Sequence, residues 1–303
     1  MKNLKTEITH YLEYCSLQKS LSNHTIKAYR IDLNQFISFK QKMSISKIDL
    51  NDYIGYLHKK FKPKTIRRKI ASLKAFIRYL YYQDKIEFNP FDKIDTNFKE
   101  PVVLPHIIPE YLIEQLLSAA YIDINTASSK NQRNVCLRNA AILELLFATG
   151  ARVSEVCSLK SKDVDLISKT VRIFGKGSKE RIIQIENEDV VSLLKSYKFA
   201  FSEYLSPNSY FFLNNRYNRF SEQSVRIVIN NLEKQINSPI HITPHMFRHS
   251  VATLLLEEDV DIRYIQRILG HSSINTTQIY THVTSLKQKE ILRTKHPRNK
   301  IHI

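Results

Sequence analysis

The chain has 303 residues, enough for two ordinary domains, and its 43% hydrophobic content can build a sizeable core. It lacks a signal-peptide apolar segment and a long charge-free apolar run, and its three cysteines exclude a disulfide framework. The net charge of +17 indicates a polyanionic partner, and residues 1–100 already carry 20 basic and 10 acidic side chains. We therefore expect a cytoplasmic protein with reduced thiols that makes no membrane contact and touches a polyanion with both halves. Basicity that serves only solubility is the alternative.

Residues 1–90 are predicted to be helical. Ser22 is the expected N-cap of a helix that continues to about Lys40, and a further helix is expected over residues 50–60. The next helix has the clearest pattern, because apolar residues recur at steps of three and four: Ile66, Ile70, Leu73, Ile77 and Leu80.

The other side of that helix is basic. Residues 59–78 include nine basic side chains and no acidic one, so ion pairing inside the segment cannot account for them. The pattern predicts contacts to phosphate groups, and a merely solvated face is the alternative. The candidate DNA-binding residues are Lys64, Arg67, Arg68, Lys74 and Arg78.

A proline-rich stretch over residues 89–109 has no helical period and predicts an extended linker. A helix is expected from Pro109 to about Ala120, followed by a polar loop over residues 122–134 and an apolar helix over 135–148 that stops at Gly150. The domain boundaries expected are therefore a helical domain over 1–92, a linker over 93–108 and a second domain over 109–303.

Two β-branched runs, residues 170–174 and 181–185, flank a loop with two glycines and predict a hairpin. A brief strand is expected at residues 210–213, and the remainder is predicted to be helical. The fold class predicted is therefore mainly α with one small β-sheet.

Several residues with suitable chemistry lie at predicted element ends. Arg152 begins a short helix, Lys176 lies at the hairpin tip, and Pro244 opens a helix in which His245 and Arg248 are three residues apart. His271 follows a predicted helix end at Gly270, and Tyr280 follows nine residues later. Each residue taken singly has an ordinary structural explanation. Together, arginines, imidazoles and a phenol suit a single phosphodiester, which they could clamp, protonate and attack.

His249 is four residues beyond His245, which is also a zinc-ligand spacing. The segment has no glutamate of the H-E-x-x-H pattern and no nearby cysteine, so we expect no metal and assign His249 a supporting hydrogen bond. No cofactor is expected either.

Four segments occur in the order TGARVSEV, GKGSKER, TPHMFRHSVATLLLE and LGHSSINTTQIYTHV. With these segments the chain resembles the tyrosine recombinase (phage-integrase-type) family over nearly its whole length. SNHTIKAYRIDLNQF, the basic helix and NPFDKI resemble that family's helical, SAM-like core-binding domain. In size and ending the chain looks most like the Xer recombinases, and several small mobile-element integrases share this plan.

The resemblance implies a role for each matching residue. Arg152 and Arg248 would clamp the phosphate, Lys176 would be the general acid, and Tyr280 would be the nucleophile. In the same way, His245 would be the general base and acid, His271 would donate to the phosphate, and Glu155 would support the site without attacking.

The resemblance also implies the reaction and the partners. Duplex DNA would be cleaved and rejoined through a 3′-phosphotyrosyl intermediate, inside a clamp formed by the two domains. A homo- or hetero-tetramer would act on two sites, with a C-terminal tail (residues 284–295) docking on a neighbouring subunit. A Xer-like role in chromosome dimer resolution would add a septal DNA translocase.

Other interpretations remain open at this stage. The same chemistry serves an integrase, a transposon recombinase or a DNA invertase of a mobile element. A type IB topoisomerase and a non-catalytic DNA-binding regulator are further alternatives. The sequence does not define the target DNA, the need for a partner recombinase or accessory protein, or the order of strand exchange.

Overall fold

The computed structural model describes residues 4–40, 45–98, 106–175 and 180–270. Contacts divide the chain into two compact units, Met1–Val102 and Val103–Ile303. The described residues are mainly helical and include one three-stranded sheet, which confirms the predicted fold class. No helix in these ranges combines the length and the apolar character that a bilayer crossing requires.

The first unit packs four helices: α1 (Leu4–Leu17), α2 (Asn23–Phe39), α3 (Lys47–Lys60) and α4 (Pro63–Tyr82). The Ser22 side chain accepts a hydrogen bond from the Thr25 backbone N–H, which confirms the predicted cap. α3 begins three residues earlier than predicted because Ser46 and Asp49 form a capping box.

The apolar stripe of α4 forms much of the core of this unit. All five predicted stripe residues are buried, and they lie with Leu33, Phe36, Leu50, Tyr53 and Phe76 in one cluster. α4 contacts each of the other three helices, so its apolar face joins the unit.

A buried ionic cluster joins α2 to α4. The Asp32 carboxylate accepts hydrogen bonds from Lys69 Nζ at 2.9 Å and Ser72 Oγ at 2.9 Å, and it pairs with Arg68. The side chains of Asp32 and Lys69 are almost fully buried, whereas that of Arg68 is about half exposed. The cationic segment therefore does have an acidic partner, but α2 supplies it, which a count within residues 59–78 could not reveal.

The prediction of an extended linker from residue 89 is wrong at its beginning. Pro90–Lys93 forms a 3-10 turn capped by the Asn89 side chain, which accepts from the Phe91 N–H. Phe91 is buried in the core of the first unit, and Ile94 and Phe98 pack against that core. Two aromatic side chains therefore hold this segment on the helices despite its lack of helical periodicity.

The second unit is organised around α6 (Lys130–Thr149). It contacts α5 (Glu110–Thr126), α7 (Val153–Ser158), α8 (Glu188–Ala200), α9 (Glu222–Gln235) and α10 (Pro244–Glu257), and residues 140–146 are all buried. The predicted loop over residues 122–134 is wrong, because α5 continues to Thr126 and α6 starts at Lys130. The Ser129 side chain caps α6, and the polar residues after it form an exposed first turn and a half.

The sheet is antiparallel with the order β1 (Val164–Asp165), β2 (Thr170–Phe174) and β3 (Glu180–Gln184). Val171 pairs with Ile183 and Phe174 with Glu180, which confirms the predicted hairpin. Val171, Ile173 and Ile183 are buried, while Arg172, Phe174 and Ile182 are exposed. On β3, the residues at every second position from Ile183 therefore lie on the inner face of the sheet.

The brief strand predicted at residues 210–213 is wrong. This segment makes only isolated bridges, from Tyr210 to Lys160 and from Leu213 to Arg219. Its apolar run is buried because the Tyr197 hydroxyl binds it, donating to the Phe211 carbonyl and accepting from the Leu213 N–H. The last described helix is α11 (Ile262–Leu269), which ends at Gly270 as predicted.

We expect Asp32→Asn to destabilise the first unit by about 3 kcal/mol, because Lys69 would remain buried without its counter-charge. Hydrogen exchange read by mass spectrometry on the full chain would show faster exchange in peptides from α2 and α4. The matched control is Asp52→Asn, since Asp52 is exposed on α3. Equal protection in the two variants would contradict the assignment of Asp32 as the joint between α2 and α4.

Candidate active site

A tight turn between α6 and α7 forms the base of the site. Gly150 ends α6 in the left-handed region, with φ of 56°. A Cβ at this position would lie 2.5 Å from Leu269 Cδ2, so a larger residue would also require the Leu269 side chain to move. The positive φ is the reason why residue 150 favours glycine.

Arg248 connects this turn to α10 and α11. α10 begins at Pro244 after Thr243, as predicted, although the Thr243 side chain makes no capping hydrogen bond. The Arg248 side chain lies on the buried face of α10, and the residue is only 4% exposed. Nη1 donates to the Gly150 carbonyl at 2.9 Å, and Nη2 donates to the Leu269 carbonyl at 2.6 Å.

The two carbonyls that Arg248 binds belong to helix ends. Gly150 is the C-cap of α6, and Leu269 is the last residue of α11. Carbonyl groups at helix C-termini lack intrahelical donors and carry a partial negative charge. The partial negative charges of these two helix ends therefore stabilise the buried guanidinium of Arg248.

Arg152 lies at the same turn and is the N-cap residue of α7. The Glu155 carboxylate accepts from the Arg152 backbone N–H at 3.0 Å and from Arg152 Nη1 at 2.7 Å. The Arg152 side chain remains 35% exposed, whereas that of Glu155 is buried. Glu155 thus orients a guanidinium that is still accessible to an anion, which fits the supporting role expected for it.

Arg181, which was not among the predicted site residues, completes the group of charged side chains around this turn. Its Nη2 donates to the second Glu155 oxygen at 2.7 Å, and its Nε donates to the Ile268 carbonyl at 2.9 Å. Only 12% of the side chain is exposed. The strand periodicity contained a signal, because Arg181 is in phase with the buried Ile183 and Ile185 and so occupies an inward position.

Two effects oppose each other on the Glu155 carboxyl. Burial raises its pKa, but hydrogen bonds from Arg181 and Arg152 outweigh burial and leave the pKa below its ordinary value. Glu155 is therefore ionised at neutral pH between two arginines, which supports its function as a fixed anionic anchor.

The histidines of α10 lie in different environments. His245 is exposed one helical turn before the buried Arg248, and His249 is half buried. Their ring centroids are 6.5 Å apart. Among the residues that the structure describes, no three His, Cys, Asp or Glu side chains converge as metal ligands.

The structure brings three of the predicted site residues, Arg152, Glu155 and Arg248, to one turn, with His245 on the helix that carries Arg248. Lys176, His271 and Tyr280 lie outside the described residues, as does the predicted tail over residues 284–295. The described residues nearest in sequence to Lys176 and His271 do belong to the site. β3, which follows Lys176 in the chain, carries Arg181, and Gly270, which precedes His271, lies against Arg181. A Cβ on Gly270 would be 3.0 Å from Arg181 Nη1.

The predicted phosphate-binding residues of α4 are all exposed in the first unit: Lys64, Arg67, Arg68, Lys74 and Arg78. Arg68 is paired with Asp32, and Lys74 donates to the Thr96 hydroxyl. Arg67 lies 5.9 Å from the Phe98 ring centroid, and Arg78 donates to the Tyr82 hydroxyl. The exposed cations Lys74 and Arg78 thus hydrogen-bond to hydroxyl groups, in keeping with a surface for an anionic partner.

Glu155 should make the stability of the second unit depend on pH. Because its folded pKa is lowered, its contribution is present at neutral pH and is lost as pH falls from about 4.3 through the folded value. We expect Glu155→Gln to melt below the wild type at pH 7 and the gap to narrow towards pH 3, as measured by circular dichroism. Glu114→Gln, on an exposed position of α5, is the control. A gap that does not change with pH would contradict this account.

Comparison with known proteins extends these observations to the whole chain. The profile described as "Phage integrase family" matches residues 114–287, and that described as "Phage integrase, N-terminal SAM-like domain" matches residues 8–84. A tyrosine recombinase of Agathobacter rectalis is 53% identical, with both chains covered completely. Tyrosine recombinase XerD of Listeria monocytogenes is 35% identical over 96% of this chain and 98% of its own.

A solved structure has the same fold. XerH site-specific recombinase, in a post-cleavage complex with a palindromic difH substrate, superposes with a TM-score of 0.77 at 22% identity. The match covers 95% of this chain and 84% of that one. The fold, the two profiles and the full-length relatives agree: the chain belongs to the phage integrase family and is a tyrosine recombinase.

Proposed function

We propose that this protein cleaves and rejoins duplex DNA at specific sites through a 3′-phosphotyrosyl intermediate. The observation that carries the proposal is the convergence of Arg152 and Arg248 on one turn, with the ends of α11 and β3 held beside them. Two guanidinium groups at one turn suit a phosphodiester, whose negative charge increases as a nucleophile attacks.

The remaining roles follow the order of the chemistry. Tyr280 attacks the phosphorus, and its phenolic proton passes to His245, which is exposed on the helix of Arg248. Lys176 protonates the leaving 5′-oxygen. His271 donates a hydrogen bond to a non-bridging phosphate oxygen.

The balance of bonds removes any need for an external energy source. One P–O bond to the 5′-oxygen breaks as the P–O bond to Tyr280 forms, so the phosphodiester energy is retained in the protein–DNA link. A new 5′-hydroxyl then attacks the same phosphorus and releases Tyr280. Neither ATP nor a metal ion is part of this proposal.

The full-length similarity to a XerD protein supports a Xer-like role, in which recombination resolves chromosome dimers in the cytoplasm. A septal DNA translocase would then be a further partner. Integration, transposition or inversion by a mobile element uses the same chemistry and is the alternative.

We further propose that the exposed basic face of α4 binds the DNA backbone from the first unit. Its cations match a polyanion in charge, and Arg68 is preorganised by the buried Asp32. Each unit would then contribute its own contacts to the phosphates of the duplex.

Exchange between two duplexes breaks four strands, and each break consumes one tyrosine. We therefore propose that four subunits, identical or of two kinds, assemble on two sites. The basic tail, with apolar Leu286, Ile291 and Leu292, would dock on a neighbouring subunit and couple the partners.

The central test concerns Tyr280. Wild-type protein is incubated with fragmented genomic DNA of the encoding strain, and fragments that remain bound after SDS are sequenced and rebuilt as nicked duplexes. We expect Tyr280→Phe to bind these duplexes with unchanged affinity and to form no covalent adduct, because it lacks the attacking oxygen. Tyr264→Phe, at an exposed tyrosine of α11, should form the adduct normally.

An SDS-resistant adduct from Tyr280→Phe, or none from the wild type, would refute the proposal. The recovered fragments also separate the biological roles. A single housekeeping locus favours the Xer role, and element ends favour an integrase.

The tail has a separate test. Removal of residues 284–303 should leave binding to a single DNA site intact and abolish the pairing of two sites. The mass of the protein–DNA complexes measures both. The triple variant Leu286→Ser, Ile291→Ser and Leu292→Ser keeps the basic charge of the tail. Loss of site pairing in this variant would therefore assign the pairing to apolar contacts of the tail. Unchanged pairing in both variants would remove the tail from the assembly.

A further inference from the structure

Arg181 makes contacts that ordinary packing of β3 would not require. From the inner face of the strand, its guanidinium binds the Glu155 carboxylate with Nη2 and the Ile268 carbonyl with Nε. These partners belong to different elements: Glu155 is in the first turn of α7, and Ile268 is in the last turn of α11. One side chain thus fixes three elements relative to one another.

We propose that Arg181 is a positioning residue for the phosphate clamp, and this inference rests on the recombinase function proposed above. It acts through Glu155. Glu155 Oε2 accepts from both Arg181 and the Arg152 backbone N–H, while Oε1 binds the Arg152 guanidinium. With both oxygens engaged, rotation of the carboxylate is restricted, and Oε1 is held where it binds the Arg152 guanidinium.

The contacts of Arg181 also explain why a smaller or apolar residue would not serve. Burying a guanidinium next to a carboxylate gives little net stability compared with well-packed apolar residues. Its planar fork can bind a carboxylate and a carbonyl in fixed directions at once, which a lysine ammonium cannot do. Because an apolar residue would stabilise the fold at least as well, the presence of Arg181 is consistent with a role in orienting its partners.

The second partner, the Ile268 carbonyl at the end of α11, holds the Arg181 guanidinium in place beside Glu155. Arg181 binds the Ile268 carbonyl, and Gly270 packs so closely on the guanidinium that a Cβ there would lie 3.0 Å from Nη1. Arg248 binds the intervening Leu269 carbonyl. Two arginines therefore hold consecutive carbonyls at the end of α11, one from β3 and one from α10.

The test uses Arg181→Gln on two DNA substrates. The first is the nicked duplex with its natural phosphodiester. The second is the same duplex with a methylphosphonate at the cleaved position, which lacks one negative charge. If Arg181 acts by orienting Arg152 towards that charge, the Arg181→Gln substitution should slow adduct formation on the phosphodiester by roughly 10- to 100-fold. On the neutral linkage the deficit should fall to about threefold or less, because a charge clamp contributes little there.

A double variant gives a second readout. Arg152→Gln with Arg181→Gln should cleave the phosphodiester no more slowly than Arg152→Gln alone, since Arg181 acts on cleavage through Arg152 and the end of α11 keeps its hydrogen bond to Arg248. Additive losses would overturn the proposal.

Arg138→Gln is the matched control. Arg138 is also a buried arginine that donates to a carbonyl, that of Leu213, but its described contacts are to residues outside the site. We expect this variant to lower the thermal midpoint while the folded protein cleaves both substrates at the wild-type rate. A purely structural Arg181 would behave in the same way.

The outcomes separate this inference from the function on which it rests. A wild type that forms no adduct refutes the proposed function and the role of Arg181 with it. A wild type that forms the adduct, together with an Arg181→Gln variant that is equally fast, refutes the role of Arg181 alone. A deficit of the same size on both linkages also refutes it, because the loss would then not concern the phosphate charge.

Discussion

A single buried guanidinium between two helix ends is the interaction on which the second unit depends. Arg248 donates to the carbonyls of Gly150, which caps α6, and of Leu269, which ends α11. The two partial negative charges offset the cost of burying the cation. Because Arg152 follows the α6 end by two residues, the hydrogen bonds that hold α10 and α11 together also set the position of the accessible arginine.

Both units use a buried ion to join elements that are distant in sequence. In the first unit Asp32 of α2 binds Lys69 and Ser72 of α4, and in the second Glu155 of α7 binds Arg181 of β3. In each case a neighbouring arginine, Arg68 or Arg152, shares the carboxylate while remaining partly exposed. A carboxylate fixed by one buried cation thus orients a second cation for an anionic ligand.

The sequence was sufficient where local rules decide the outcome. The period of Ile66, Ile70 and Leu73, the Ser22 cap and the glycine helix ends were all predicted, as were the family and the fold class. It failed where partners come from elsewhere: nothing within residues 59–78 shows that Asp32 lies beneath them, and the buried run at 210–213 reflects the Tyr197 hydroxyl, not a sheet ladder. Arg181 was overlooked because its inward phase on β3 has meaning only once Glu155 and Ile268 are known to face it.

The hydrogen bonds of the site span long stretches of chain: the sequence separation is 98 from Gly150 to Arg248 and 87 from Arg181 to Ile268. Contacts of this separation close large loops, and each closure costs conformational entropy. During synthesis the α6–α7 turn emerges well before α10 and α11, so a nascent or truncated chain holds Arg152 without the elements that complete its surroundings. The hydrogen bonds around Arg152 and Glu155 are therefore complete only when β3, α10 and α11 have all been made.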